Sequence, residues 1–308
     1  MLTGIFNKDK PIIFLAVSFF MGLFYCYYAF YEFPGSLTLQ DILIKTAILA
    51  VYILAMLLLD FIGRKNNISK LNTYKIAFFA LVTVMIPQSF LTEQVVVSGF
   101  LILLALRRII SLRSGKEMQK KILDASLWIS LASCFYFWSF LFFAVLFVGI
   151  FIYARSNFKN WMVPLVGMAA VITLSNVYTL LVQDAFYTPL DWVRPAGFDF
   201  TFYNDLKFVM PITLLISITL WALAALFLKY KKKSLKNKQT TTLVILSLAA
   251  AVAIPVLTPV KQGSELFFFA IPFSILLANY FETSKEKIFK EVLFWALFLT
   301  PFVILFMQ

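Results

Sequence analysis

Histidine is missing altogether from the 308 residues. That absence removes imidazole acid–base chemistry, Ser-His-Asp triads and nearly every zinc site. Any catalysis would have to use carboxylates, lysine, arginine or tyrosine. Acids are scarce, 15 against 27 lysines and arginines, and no two of them are adjacent. Cysteine occurs only as Cys26 and Cys134, both inside apolar runs. They read as buried packing residues, not as a disulfide or a metal pair, and the sequence names no metal site and no cofactor. A Walker A loop, a Rossmann glycine fingerprint, HExxH and GxSxG are all lacking. GxxxG is lacking too, although Gly167, Ala169 and Ala170 offer a small-residue surface for close helix packing. No fixed-period repeat, heptad array or low-complexity tail is present.

What the chain does have is apolar length. Hydrophobic residues make up 62%, phenylalanine alone contributes 36, and charged residues only 14%. A soluble domain is nearer 45–50% apolar. The expectation is an all-α fold, a polytopic transmembrane helix bundle of about 11 spans, forming a single integral membrane domain over residues 1–308. A span needs roughly 20 apolar residues, fewer if it is buried among neighbours. The runs that qualify are 11–33, 42–62, 75–91, 94–112, 121–135, 137–154, 160–183, 207–229, 241–258, 266–281 and 290–307. The stretch 122–153 is divided near Phe135–Trp138, because one long span would leave Lys120 and Lys121 on the opposite side from Arg155. Phe14–Phe33 is too long for a cleavable leader and reads as a first span that stays.

With the N-terminus on the cytoplasmic side, all lysines and arginines except Lys45, Arg194, Lys207 and Lys261 fall on the inner side, 23 of 27. The inner basic loops are 63–75, 107–121 and 229–240. This bias selects one orientation, in a bacterial inner membrane. It also accounts for a net charge of +12 with no nucleic-acid partner; the run Lys229–Lys238 orients the chain and meets anionic lipid. Inside spans, Asp60 pairs with Arg64 at i,i+4, Asp124 sits beside Lys120 and Lys121, and Lys45 snorkels to the outer interface.

The outer side carries the candidate chemistry. Its longest segment, 184–207, mixes four acids with tyrosine, phenylalanine and tryptophan. It supplies Asp191, Trp192 and Arg194 as candidate substrate contacts, forming one wall of a cleft. The stretch Thr258–Tyr280 organises the rest of the chain. Here a polar turn, Lys261-Gln262-Gly263-Ser264-Glu265, is wedged between two apolar spans, and Lys261 and Glu265 become candidate binding residues. Asp41 and Glu32 flank the short first outer loop and are the positional candidates for a catalytic base.

The order Lys261, Gly263-Ser264, Phe267–Phe269, Pro272 resembles the late outer motif of polytopic GT-C class glycosyltransferases. The segment Ile129–Leu174 resembles their paired short spans with a basic inner turn. The resemblance implies a polyprenyl-phosphate-linked sugar as donor, with Lys261 contacting its phosphate. The chain departs from that class in its short first outer loop, Pro34–Gln40, in having no paired acids, and in lacking a C-terminal soluble domain. The whole sequence also resembles a family of uncharacterised membrane proteins of Bacteroidota. Three functions follow as alternatives: a membrane glycosyltransferase, a non-catalytic subunit of an envelope complex with protein partners, and a transporter or lipid flippase. Prolines 87, 164, 211, 255, 272 and 301 are the feature that favours the last.

Overall fold

The computed structural model describes residues 2–31, 38–66, 68–69, 71–186, 191, 193–230, 235–284 and 286–307. Its elements are helical, and no strand occurs among the described residues. In chain order they are α1 (Leu2–Phe6), α2 (Pro11–Cys26), α3 (Leu39–Lys65), α4 (Tyr74–Met85), α5 (Gln88–Leu91), α6 (Glu93–Ser111) and α7 (Met118–Phe135). Then come α8 (Phe142–Tyr153), α9 (Lys159–Gln183), α10 (Leu206–Tyr230), α11 (Leu235–Leu257), α12 (Leu266–Thr283) and α13 (Lys287–Phe306). A π-helical turn, Tyr27–Tyr31, extends α2, and a 3-10 turn, Phe137–Leu141, leads into α8.

Eight of these helices are long and apolar enough to cross a membrane: α2, α3, α6, α9, α10, α11, α12 and α13. The other three expected spans are helices of a different kind. α4 and α8 have 12 residues each, a rise of only about 18 Å against a hydrocarbon core of about 30 Å. α7 has 18 residues but opens on Lys120, Lys121 and Asp124. The expected run 75–91 is also not one helix. It stops at Met85, Ile86 turns out of helical geometry, and Pro87 opens the four-residue α5. Proline has no N–H to continue the ladder, and it disfavours a helical residue before it.

Helices of this kind gain little from hiding apolar surface from each other inside lipid, so close packing must hold them. α12 sits at the centre against α4, α6, α10 and α11. Of its apolar window 78% is buried, against 17% for α9 at the periphery. Every residue of α4 is buried. Phe267 of α12 packs on Tyr52 and Phe79 and lies so close over Gly99 of α6 that a methyl group there would collide with its ring. Gly167 of α9 lies against Ser126 of α7 in the same way.

The three ionisable groups expected inside spans, Asp60, Asp124 and Lys45, find partners. Asp60 pairs with Arg64 and also with Lys75 of α4, 3.4 Å away. Asp124 meets Arg108 of α6 at 2.9 Å, not the lysines beside it in sequence. Lys45 donates to the carbonyl of Ala29 at 2.9 Å. Cys26 and Cys134 depart from expectation. Both are exposed: Cys26 on a face of α2, and Cys134 where it lines a cavity, beside Ser175 of α9.

Candidate functional site

α7 ends at Phe135 because Tyr136 adopts an extended conformation (φ −142°, ψ 105°). The chain then turns through Phe137–Leu141, where the buried Ser139 shares a 2.6 Å hydrogen bond with Ser98 of α6. Ser98 Oγ also lies 3.0 Å from the Ala132 carbonyl, so the break between α7 and α8 is fastened to α6. Tyr136 is thereby aimed at the end of α11, where its hydroxyl meets Thr258 Oγ1 at 3.0 Å. Thr258 spends its own proton on the Ile254 carbonyl, so Tyr136 donates.

The α11–α12 turn is pinned to the outer segment by Lys261. Its buried ammonium donates to the carbonyls of Thr258 (2.8 Å), Gly197 (3.1 Å) and Val256 (3.3 Å) and stands 4.3 Å above the Phe200 ring. An ammonium has three protons, and here all three are used. Burial pulls the Lys261 pKa down, with Glu265 and Asp199 opposing that shift. Gly197 completes the clasp. Its N–H donates to the Leu257 carbonyl at 3.0 Å, and a Cβ there would stand 2.5 Å from the backbone of Pro259, so glycine alone allows the approach. Gly263 takes φ +81°, the left-handed geometry that turns the chain into α12.

Glu265, 1% exposed, stands at the N-cap position before α12. Its carboxylate accepts from the Tyr203 hydroxyl, from the Gln262 N–H at 3.3 Å and from Ser264 Oγ at 3.4 Å. Burial, then the charge of Glu265, drives the Tyr203 phenol well above its ordinary range, which keeps it a donor. Asp199 is shifted the other way, held down by hydrogen bonds from Thr201.

These fastenings frame a cavity of about 660 Å³. The broken end of α7 supplies Tyr136, Phe137 and Trp138; α6 contributes Gln94, and α9 Thr179 and Gln183. The segment between α9 and α10 supplies Asp191 and Arg194, both exposed, and Pro259 joins the lining. Two of the sequence-predicted contacts are thus brought together. Lys261 and Glu265 lie behind the wall, holding it. Asp41 is not among the residues lining the cavity. It is the third residue of α3 and forms a reciprocal cap with Thr38: its carboxylate accepts from Thr38 Oγ1 at 2.7 Å, and its N–H returns a bond at 3.2 Å. Glu32 and Trp192 lie outside the described residues. Sequence reasoning missed Tyr136 and Trp138 as site residues, although it placed a break there. The Trp138 indole N–H is buried without a hydrogen-bond partner, aromatic surface with a donor to spare.

The arrangement is that of an all-helical, multi-pass chain with a polar-lined cavity at the end of its helices that is poor in basic residues. The chain belongs to the family of unknown function DUF6427, which matches residues 5–308. Nothing among curated proteins or solved structures matches it.

Proposed function

We propose that this is a multi-pass protein of the bacterial inner membrane, N-terminus inside, that takes a polyprenyl-phosphate-linked sugar into the outer cavity as a GT-C-like transferase would. The observation that carries this reading is the meeting of one carboxylate, Asp191, and one guanidinium, Arg194, on a wall faced by Tyr136 and Trp138. A lipid-linked sugar needs those three chemistries together. Rings accept the sugar faces, arginine grips a phosphate in a bidentate fork, and a carboxylate takes a proton. In the step itself the acceptor oxygen bonds to the anomeric carbon and its proton passes to Asp191. The carbon–oxygen bond to phosphate breaks, and the electron pair leaves on polyprenyl phosphate beside Arg194, whose fixed charge favours that departure. Lys261 and Glu265 act as positioning residues. In this reading the capping role of Asp41 gives the base assignment to Asp191.

The full chain in nanodiscs, given labelled polyprenyl-phosphate sugars, tests this. Arg194→Gln should weaken donor binding at least tenfold, and Asp191→Asn should keep binding and lose transfer. Full turnover in both variants would sink the assignment. A second reading, a non-catalytic subunit of an envelope complex, is supported by the complete use of Lys261 in holding backbone. A stoichiometric partner recovered in mild detergent, with no turnover, would favour it.

A further inference from the structure

The other end of the α6–α7 pair holds a second cavity, of about 470 Å³. Gln94 at the start of α6 and Phe135 at the end of α7 line the outer cavity, whereas Arg107 near the end of α6 and Lys121 near the start of α7 line this one. Along α6 the lining residues Gln94 and Arg107 to Ser111 place the two sites roughly 20–25 Å apart. We propose that this second cavity binds a diphosphate-bearing ligand, independently of what the outer cavity does.

Five cationic side chains from separate parts of the fold converge on it: Lys65 from the end of α3, Arg107 and Arg108 from α6, Arg113 from the following turn and Lys121 from α7. Of these five, Arg108 alone forms an ion pair among the described residues, with Asp124. Glu117 is bonded to Lys120 at 2.8 Å and also feels the charges of Lys121 and Arg108, so it offsets only part of the cluster. Packing like charges around a concave space costs energy unless an anion shares it. The geometry shows cations held in place with donors left over. Arg113 spends one N–H on the Asn66 carbonyl at 3.1 Å, and a guanidinium has five. Lys121 is steadied by the Ser111 carbonyl at 2.9 Å and by Ser114 Oγ. Arg107 and Lys65 both lie over the ring of Phe61, at 5.0 and 5.2 Å, and so are splayed along one rim.

Ordinary helix ends explain one or two such contacts, since cations favour the carbonyl-rich C-terminus. They do not explain arginines and lysines from three helices and a turn facing one another across a void. Forked guanidiniums suit the oxygens of adjoining phosphates, and one monovalent anion would leave most of the charge unmet. Phe61, 42% exposed, places the rim against the lipid-facing surface. A diphosphate could therefore arrive as a lipid headgroup or as a free ion, and basic pockets between spanning helices are known to take such headgroups.

Purified full chain in detergent is titrated with inorganic pyrophosphate and, separately, with farnesyl diphosphate in mixed micelles, with retention read by native mass spectrometry and salt-dependent thermal shift. The variant Arg107→Gln/Arg113→Gln/Lys121→Gln should lose at least tenfold in affinity. A charge-matched control, Lys229→Gln/Lys232→Gln/Lys238→Gln, should stay within twofold of the parent chain. Saturable pyrophosphate binding assigns the site to a free ion, and farnesyl diphosphate retention alone assigns it to a lipid headgroup; either supports the proposal. Failure of both probes, or equal losses in the two triple variants, would overturn it. Should the pocket triple not fold, the single Arg107→Gln decides by the same criterion with a threefold threshold. Arg107 serves here because the contact the structure gives it is to the Phe61 ring.

Discussion

At the scale of single residues, Lys261 shows how a functional guess and a structural role can share one side chain. The sequence makes it conspicuous, a cation in a polar turn between apolar helices. It cannot show that the Gly197 carbonyl, 64 residues away in the chain, will lie at hydrogen-bond distance. Lys261→Met should therefore destabilise the protein by about 2–4 kcal/mol, three bonds lost with acceptors left bare. The variant should melt several degrees lower in detergent. Burial lowers the Lys261 pKa in the folded chain from its ordinary 10.5. The unfolded chain then holds this proton more tightly, unfolding takes up protons between the two values, and stability rises as pH climbs through that window. The gap in melting temperature between the parent chain and Lys261→Met should widen as pH is raised toward 10.5. A gap that narrows would mean that Lys261 is not held as a buried cation. Asp41 teaches the converse. Its cap was legible, because threonine followed three residues later by an acid before an apolar run is a helix-start signature. Position beside an outer loop drew attention away from it.

At the scale of elements, the period and length of apolar runs marked nearly every helix, and the break between α7 and α8 fell where the basic residues required it. Side-chain partners across elements were less legible. Asp60 was assigned to Arg64, four residues on, and that pair exists. The second partner, Lys75, comes from the next helix and is fully buried. It threads past Gly63, where a Cβ would stand 2.6 Å from the lysine stem. Nothing in a one-dimensional pattern shows that a glycine one turn after an acid makes room for a lysine from elsewhere. The consequence can be measured. Asp60→Leu leaves the buried Lys75 ammonium with Ser69 Oγ at 2.6 Å and without its paired carboxylate, and should cost about 3–5 kcal/mol. The double variant Asp60→Leu/Lys75→Met removes both charges and should recover most of that loss in a thermal unfolding series. If the double variant is no more stable than the single, the ion pair is not what joins α3 to α4 at this level.

At the scale of the whole molecule, eight helices among the described residues suit a membrane by length and apolarity, yet only three of them precede α9, and keeping the N-terminal lysines on the same face as Arg155 and Lys159 needs an even number of crossings before α9. The end of α3 carries Arg64 and Lys65, and the stretch from the end of α6 into α7 carries Arg113, Lys116 and Lys120. For both to lie on one face, α4 and α5 together must bring the chain across between them, although α4 is only 12 residues long. The structure offers a physical reason why a short, interrupted segment suffices. All of α4 is buried within protein, so it need not match the thickness of lipid, and the irregular backbone at Ile86–Pro87 is shielded by its neighbours. Sequence pattern alone read this as an ordinary span, because a window of hydropathy cannot distinguish a helix surrounded by lipid from one surrounded by other helices. The crossing can be tested directly. Cys26 and Cys134 are exposed and would first be replaced by serine. Single cysteines at Leu71 and Gln94 then flank the segment, both at exposed positions. A membrane-impermeant thiol reagent should reach Gln94→Cys in intact spheroplasts and Leu71→Cys only after the membrane is opened. Labelling of both from the same face would mean that α4 turns back within the bundle. The basic loops would then alternate sides, and the proposed orientation of the outer cavity would fall with them.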